Sequence, residues 1–195
     1  MVTISAPTDP AQTDAAADLL AAGFAADPLI TAVLPGDEAT RRERLASFYR
    51  EALRADDPER VIDLAVRDSG EVVGVAIWHA PGAELCDPEV PDELGEPWVA
   101  MEQAFAAVHP HERHWYLSDV VVSDRARGEG VGSALLGHRL AVADDQGCAC
   151  YLESTTPGSR RMYQRLGFVP RGPILGLPGE QEPPEAMWRD PATPR

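Results

Sequence analysis

The sequence predicts a mixed α+β domain, a central sheet flanked by helices, on three observations. In "EATRRERLASFYREALRA" apolar residues recur at helical spacing, with Leu45, Phe48, Tyr49 and Leu53 on one stripe. The period then shortens. "RVIDLAVR" and "EVVGVAIWHA" are rich in β-branched residues and joined by the turn chemistry of "DSG", so they read as a hairpin. From there strand and helix patterns alternate to the end of the chain, which places a sheet between helices.

Taken in order, "VTISAP" reads as a short first strand. An alanine-rich helix follows from about Asp9 to Ala26 and stops before Asp27-Pro28. After the second helix and the hairpin, the proline-rich, acidic segment Pro81 to Pro97 reads as a loop. It leads into a short helix, "PWVAMEQAFAAVH", with proline near its start. "HWYLSDVVVS" is the next strand. "GVGSALLGHRLAVADDQG" is a helix with Val131, Leu135, His138 and Val142 on a common stripe and Gly147 as its stop. "CACYLES" is a further strand, after which Thr156 caps a helix that opens on Pro157 and exits at Gly167. "FVPRGPI" and "EAMWRD" are the last two strands. No internal repeat is visible, and residues 1–195 are expected to form one domain with the last few as a tail.

Composition narrows the function. A length of 195 residues suits a single domain, on a prior of roughly 100 to 200 residues each. No apolar run approaches the roughly 20 residues that cross a bilayer, so no membrane role is expected. "MVTISAPTDP" has neither a basic start nor an apolar stretch, which makes the cytoplasm the expected location. The net charge of −15 argues against a nucleic-acid partner, which needs a basic footprint. An acidic shell either keeps the protein soluble or gathers cationic small molecules such as amines. Of three cysteines, Cys86 stands alone, and Cys148 and Cys150 sit two apart in an apolar run, a spacing that reads as buried reduced thiols.

The most informative stretch is "DRARGEGVGSALL". A P-loop is excluded because the chain contains no lysine. A dinucleotide fingerprint fails because its third glycine falls on Ser133 or Leu135. What remains is a strand, "DVVV", turning into a helix whose first turn is glycine-rich. Unpaired N–H groups then converge with the positive end of the helix dipole behind them, a site for pyrophosphate. Glycines at 128, 130 and 132 let a ligand approach the backbone, and Arg125 and Arg127 add positive charge. The alternative is that these glycines only make a tight turn and close helix–sheet packing.

"VVVSDRARGEGVGSALL" resembles the acetyl-CoA signature of the GNAT superfamily of N-acetyltransferases. That signature is Gln or Arg, two residues, Gly, one residue, then Gly or Ala, met here by Arg127, Gly130 and Gly132. "YLESTTPGSRRMYQRLGF" resembles the family's second motif, and together the two cover roughly Tyr116 to Phe168. A wider resemblance, through "LLAAGFAADPLITAVLP", "VAIWHAPGAE" and the same "YLESTTPGSRRMYQRLGF", is to the puromycin N-acetyltransferase group. The resemblance implies a mostly antiparallel sheet with a splayed strand pair, acetyl-CoA as co-substrate and no metal. It further implies direct acetyl transfer to a primary amine of a small molecule, of the aminonucleoside-antibiotic kind. A homodimer stays open.

On that resemblance, backbone groups of Val120, Val121 and Val122 hold the pantetheine arm. Those of Arg127, Gly128, Glu129, Gly130, Val131, Gly132 and Ser133 hold the pyrophosphate. Val122 supplies the N–H that polarises the thioester carbonyl. Tyr163 is the general acid for the departing thiolate. Their reference pKa values of about 10 and about 8.5 are close to matched, and such catalysis is worth about 10² to 10⁴ in rate. Read without the resemblance, Tyr163 is a packed aromatic. Glu153 is the first candidate base and Asp119 the second, and either also reads as an ordinary strand charge. Alternation puts Asp119 on the opposite face from Val120 and Val122 unless a bulge intervenes. Thr156 stands where many family members place an asparagine that contacts CoA, and reads better as a helix cap.

The histidines of "HPHERHW" read as a solvated loop rather than metal ligands. Phe24, Phe48, Tyr49, Trp78, Trp98 and Trp115 are candidates for an acceptor pocket, but most of them read as core. Two rival readings remain: acetylation of a protein amino terminus or lysine, favoured by a flat acidic groove, and a CoA-binding sensor without turnover.

Overall fold

The computed structural model describes residues 1–83, 94–178 and 182–192. Cys86, most of the segment from Pro81 to Pro97, and the expected tail lie outside them. The chain runs β1 (Val2–Ser5), α1 (Pro10–Phe24), α2 (Pro28–Val33), α3 (Glu38–Arg54), β2 (Arg60–Arg67), β3 (Val72–His79), α4 (Glu96–Val108) and β4 (His114–Val122). It continues with α5 (Val131–Asp145), β5 (Ala149–Ser154), α6 (Pro157–Arg165), β6 (Val169–Pro173) and β7 (Glu185–Arg189). The strands form one seven-stranded sheet in the order β1-β2-β3-β4-β5-β7-β6. Every neighbouring pair is antiparallel except β4 and β5, so the mixed, mostly antiparallel expectation holds.

Helix starts follow from local chemistry. Asp9, Asp27 and Asp37 each accept a backbone N–H of the next helix, and Asp9 and Asp27 stand directly before a proline. Helix α2 was not legible in the sequence. Asp27-Pro28 reads as the stop of α1, yet the Asp27 carboxylate caps the following turn through Leu29 N–H at 2.9 Å.

The sheet separates two large cores, and a smaller third cluster of Ala149, Tyr151, Ile174, Ala186 and Trp188 lies on β5 and β7. Helices α1 to α4 cover one face, packing Leu20, Leu29, Leu45, Tyr49 and Trp98 on Leu64, Val75 and Ile77. Helices α5 and α6 cover the other, packing Leu135, Leu136, Leu140 and Tyr163 on Ala65, Val73, Trp78, Trp115 and Leu117. The buried set of α5 is Val131, Leu135, Leu136, Leu140 and Ala143. His138 is exposed, a correction to the expected stripe, because the buried row drifts onto Leu136, Leu140 and Ala143 as the helix crosses the strands. Cys148 and Cys150 are buried free thiols, as expected. No helix among the described residues is long and apolar enough to cross a membrane.

Two irregularities in β4 prepare a site. Its pairing with β5 ends at Leu117 and Leu152, while β4 runs on to Val122 and β5 to Ser154, so the strands splay. The β3 register jumps from Ile77–Asp119 to Trp78–Leu117, which leaves Ser118 as the extra residue of a bulge.

Candidate active site

The bulge sorts the side chains of β4. Leu117 and Asp119, two residues apart, would share a face on a regular strand. Across the extra Ser118, Leu117 instead packs under α5 while Ser118 and Asp119 both face the other way. Downstream, Val120 and Val122 lie on the α5 side and Val121 on the α1 side, so Asp119 is opposite to Val120 and Val122 as alternation requires.

The backbone of the same segment divides likewise. Ser123 N–H donates to Val73 O at 2.9 Å. Because antiparallel pairs alternate between bonded and non-bonded, Val121 bonds across to Val75 and the main-chain groups of Val120 and Val122 point away from β3. They face the gap where β5 has splayed off. Val121 does not join them, since its backbone is engaged with β3 and its side chain lies against Gly23 of α1.

At the end of this gap stands the start of α5. Of the helices with side-chain oxygens at hand, α1, α2, α3 and α6 are capped, whereas α5 begins at Gly130, in the left-handed conformation (φ 78°), with no side-chain cap. The first-turn N–H groups of Val131, Gly132 and Ser133 are thus left without side-chain partners. Gly128 (φ 80°) and Gly130 have open space where a Cβ would stand. At Gly132 a Cβ would meet Met162 Sδ at 3.3 Å and Val122 Cγ2 at 3.5 Å, so that glycine lets α5 close on α6 and β4. Arg127 is exposed and paired with Asp124 at 2.7 Å, and Glu129 is held by Arg67 at 3.0 Å. These features fit a pyrophosphate on the α5 amides with an amide-bearing arm running into the gap.

On the other face of β4 is a cavity of about 590 Å³. Its floor is Tyr116, Ser118 and Asp119 of β4 with Glu153 and Thr155 at the end of β5; its walls include Phe24, Tyr49, Trp98, Glu102 and Phe105. The Tyr49 hydroxyl donates to Asp119 Oδ1 at 2.8 Å. The Thr155 hydroxyl donates to Asp27 Oδ2 at 3.1 Å and ties β5 to the turn between α1 and α2. Of the six aromatics read mostly as core, Phe24, Phe48, Tyr49 and Trp98 line the cavity, a correction, whereas Trp78 and Trp115 lie in the core under α5.

Burial dominates the acid–base character of this cavity. It raises Asp119 above the usual carboxylate range, against the hydrogen bonds from Tyr49 and Ser118. It pushes Glu153 up to about 8, opposed by the Tyr116 and Tyr151 hydroxyls nearby. Neither hydroxyl completes a hydrogen bond to it, and Glu153 Oε1 and Tyr151 Oη are buried without partners. Tyr163 on α6 is buried, its hydroxyl pKa raised by desolvation and then by the fields of Asp119 and Glu153. Tyr163 packs in the core under α5, whereas Asp119 and Glu153 line the cavity on the other face, so the fold does not place the three side chains in one pocket. Thr156 caps α6, its hydroxyl accepting the Ser159 N–H at 3.2 Å.

Two features were missed by the sequence reading. Glu102 of α4 faces the cavity, and burial followed by the field of Asp119 pushes it up to about 7. The histidines also correct the solvated-loop expectation. His111 is exposed, but His114 opens β4 as a buried residue and His109 lines the cavity. His114 Nδ1–H donates to the Glu112 carbonyl at 2.5 Å, which leaves Nε2 to accept from His109 Nε2–H at 3.1 Å. Burial lowers both histidines, His109 to about 4, so this pair is neutral at pH 7. Among the described residues no group of side chains is arranged to hold a metal ion.

The chain is similar to a crystallised Corynebacterium glutamicum protein described as a histone acetyltransferase and related acetyltransferase. The two are 36% identical over 99% of this chain and 98% of that one, with a TM-score of 0.78. The fold is shared with the arylalkylamine N-acetyltransferase 2 of Aedes aegypti, at 18% identity and a TM-score of 0.68 over 98% of this chain and 99% of that one. Over 83 residues the chain is 34% identical to an uncharacterized N-acetyltransferase of Schizosaccharomyces pombe, which covers 42% of this chain and 34% of that protein. The chain spans about a third of the length of the curated relatives it matches. With an uncapped glycine-rich helix start beside a splayed strand pair, and a match of residues 29–168 to the family described as acetyltransferase (GNAT), the chain belongs to the GNAT family.

Proposed function

We propose that the protein transfers the acetyl group of acetyl-CoA to a primary amine of a small molecule, by direct attack with both substrates bound. The observation that carries this reading is that β4 is shared. Its free main-chain groups face the gap, and its Asp119 faces an acid-lined cavity. Acetyl-CoA supplies an activated acyl thioester, and the family uses it as co-substrate.

The residues divide the work as follows. Amides of Gly128, Gly130, Val131, Gly132 and Ser133 hold the pyrophosphate; those of Arg127 and Glu129, expected to join them, already donate to Asp124 O at 3.3 Å and Ala126 O at 3.4 Å. The main-chain groups of Val120 and Val122 meet the pantetheine arm as an added strand would, and the Val122 N–H polarises the thioester carbonyl. A free alkylammonium is almost fully protonated at neutral pH, so a carboxylate must take its proton. Glu153, at about 8, is matched to that task, with Asp119 beside it. Tyr163 returns a proton to the departing thiolate. Thr156 caps α6 through its hydroxyl.

The cavity's size and aromatic walls favour a small acceptor over a protein chain, although the Corynebacterium relative's description points to histones. The likeness of three stretches to puromycin N-acetyltransferases makes an aminonucleoside-type antibiotic the first acceptor to try. Tyr163→Phe should lower turnover by about 10² to 10⁴ with acetyl-CoA affinity kept, read by thiol release and calorimetry. Unchanged turnover removes Tyr163 from the acid role. Tight acetyl-CoA binding without turnover on any amine would favour a CoA-binding sensor instead.

A further inference from the structure

The cavity on β4 holds more carboxyls than accepting one proton requires. Glu102 faces it from α4, opposite Asp119 and Glu153 on the strands. The single arginine of the lining, Arg60, is engaged by Asp57 at 3.6 Å and by the Ala55 carbonyl. The lining histidines His79 and His109 are held neutral by burial and add no positive charge. Glu153 Oε1 is an acceptor without a partner on a side chain that lines the cavity, where a buried acceptor ordinarily has one.

The three carboxyls are close enough to oppose one another. Asp119 raises Glu102, Glu102 raises Glu153, and all three oppose ionisation of the Tyr116 hydroxyl. One ammonium relieves only part of this repulsion. A second positive charge would also find aromatic faces, because Phe48, Trp98 and Phe105 line the cavity on the α4 side.

We propose that the acceptor is a dicationic amine, its primary nitrogen taken at the Asp119–Glu153 end and a second basic nitrogen held beside Glu102 across an apolar or aromatic spacer. This rests on the transfer reading above and narrows its acceptor class. Glu102 then acts as a specificity residue, by charge on the part of the acceptor that does not react.

The test compares two isosteric acceptors that each carry one primary amine, para-(dimethylaminomethyl)benzylamine and para-isobutylbenzylamine, by thiol release from acetyl-CoA. The first should show kcat/KM about tenfold or more above the second, the size of one partly desolvated ion pair. Glu102→Gln should bring the ratio to within about twofold, chiefly through KM for the cationic compound. Retained acetyl-CoA affinity would show that the variant is folded. A wild-type ratio near one, or a preference that survives Glu102→Gln, overturns the proposal. Bound acetyl-CoA with no thiol release from the dicationic compound also overturns this narrowing, and no release from any amine overturns the transfer reading itself.

Discussion

Under α5, Asp63 of β2 is only 2% exposed and is met by Arg139 in a two-pronged pair at 2.6 and 3.0 Å, whereas across the sheet Asp119, Glu153 and Glu102 share a cavity whose lining arginine, Arg60, is taken by Asp57. Both faces bury carboxyls, and the treatment differs. Arg139, 12% exposed and stacked over Trp115 at 5.1 Å, neutralises Asp63 in place and locks α5 to the sheet. On the α1–α4 face the carboxyls are left to be raised by burial and by each other. Charge that is paired inside the fold serves stability, and charge that is left unpaired is available to a substrate.

The largest effect should come from breaking the paired side. Asp63→Ala leaves the Arg139 guanidinium under α5 without its partner and should cost about 3–5 kcal/mol, read by urea unfolding. Replacing both members, Asp63→Leu with Arg139→Met, should restore most of that loss. A single-variant cost below about 1 kcal/mol would mean that Arg139 reaches water instead, and the contrast would weaken.

A smaller effect tests the wall that carries the cavity. A methyl at position 23 would stand 2.4 Å from Val121 Cγ1, so Gly23→Ala should cost about 1–3 kcal/mol by pushing α1 off β4. It should also raise KM for the acceptor, since Phe24 and Asp27 follow on the same wall.

The smallest effect has the opposite sign. Glu153 titrates near 8 in the fold against 4.5 for a free glutamate. Between those values the folded state holds the proton more tightly, so its stability falls as pH rises through the window. Glu153→Gln removes that slope. Its advantage over wild type should grow from about pH 5 to about pH 9, by of order 1 kcal/mol or roughly 2–4 °C in Tm, while turnover falls. A variant that loses both stability and turnover would place Glu153 with Asp63, as a structural charge.

Much of the fold was legible because its elements are punctuated. Asp-Pro, Asp-Ser-Gly, Thr156-Pro157 and Gly147 mark boundaries by their own backbone chemistry, and each stands where it was expected. Helix α2 was hidden because six residues are too few to show a period, and one aspartate both closes and opens a helix. The start of α5 was legible for the same reason as the turns, since Gly128 and Gly130 take left-handed φ, while Gly132 serves the packing that was its alternative reading.

The cavity was harder to see. Glu102 sits on an amphipathic helix where a glutamate ordinarily faces water, and only the packing of α4 across β4 turns it inward. The pairing of His109 with His114 depends on where β4 begins. The exclusion of Val121 from the gap depends on bond alternation with β3, which residue types do not encode.

The unmatched Ser118 has a consequence for how this strand can change. A regular strand ties every position to the parity of the first, so a polar residue gained on one side is an apolar residue lost from the other. Here the count restarts midway: the stretch before Ser118 can be selected for packing and the stretch after it for chemistry. One surplus residue gives a single strand two independent halves.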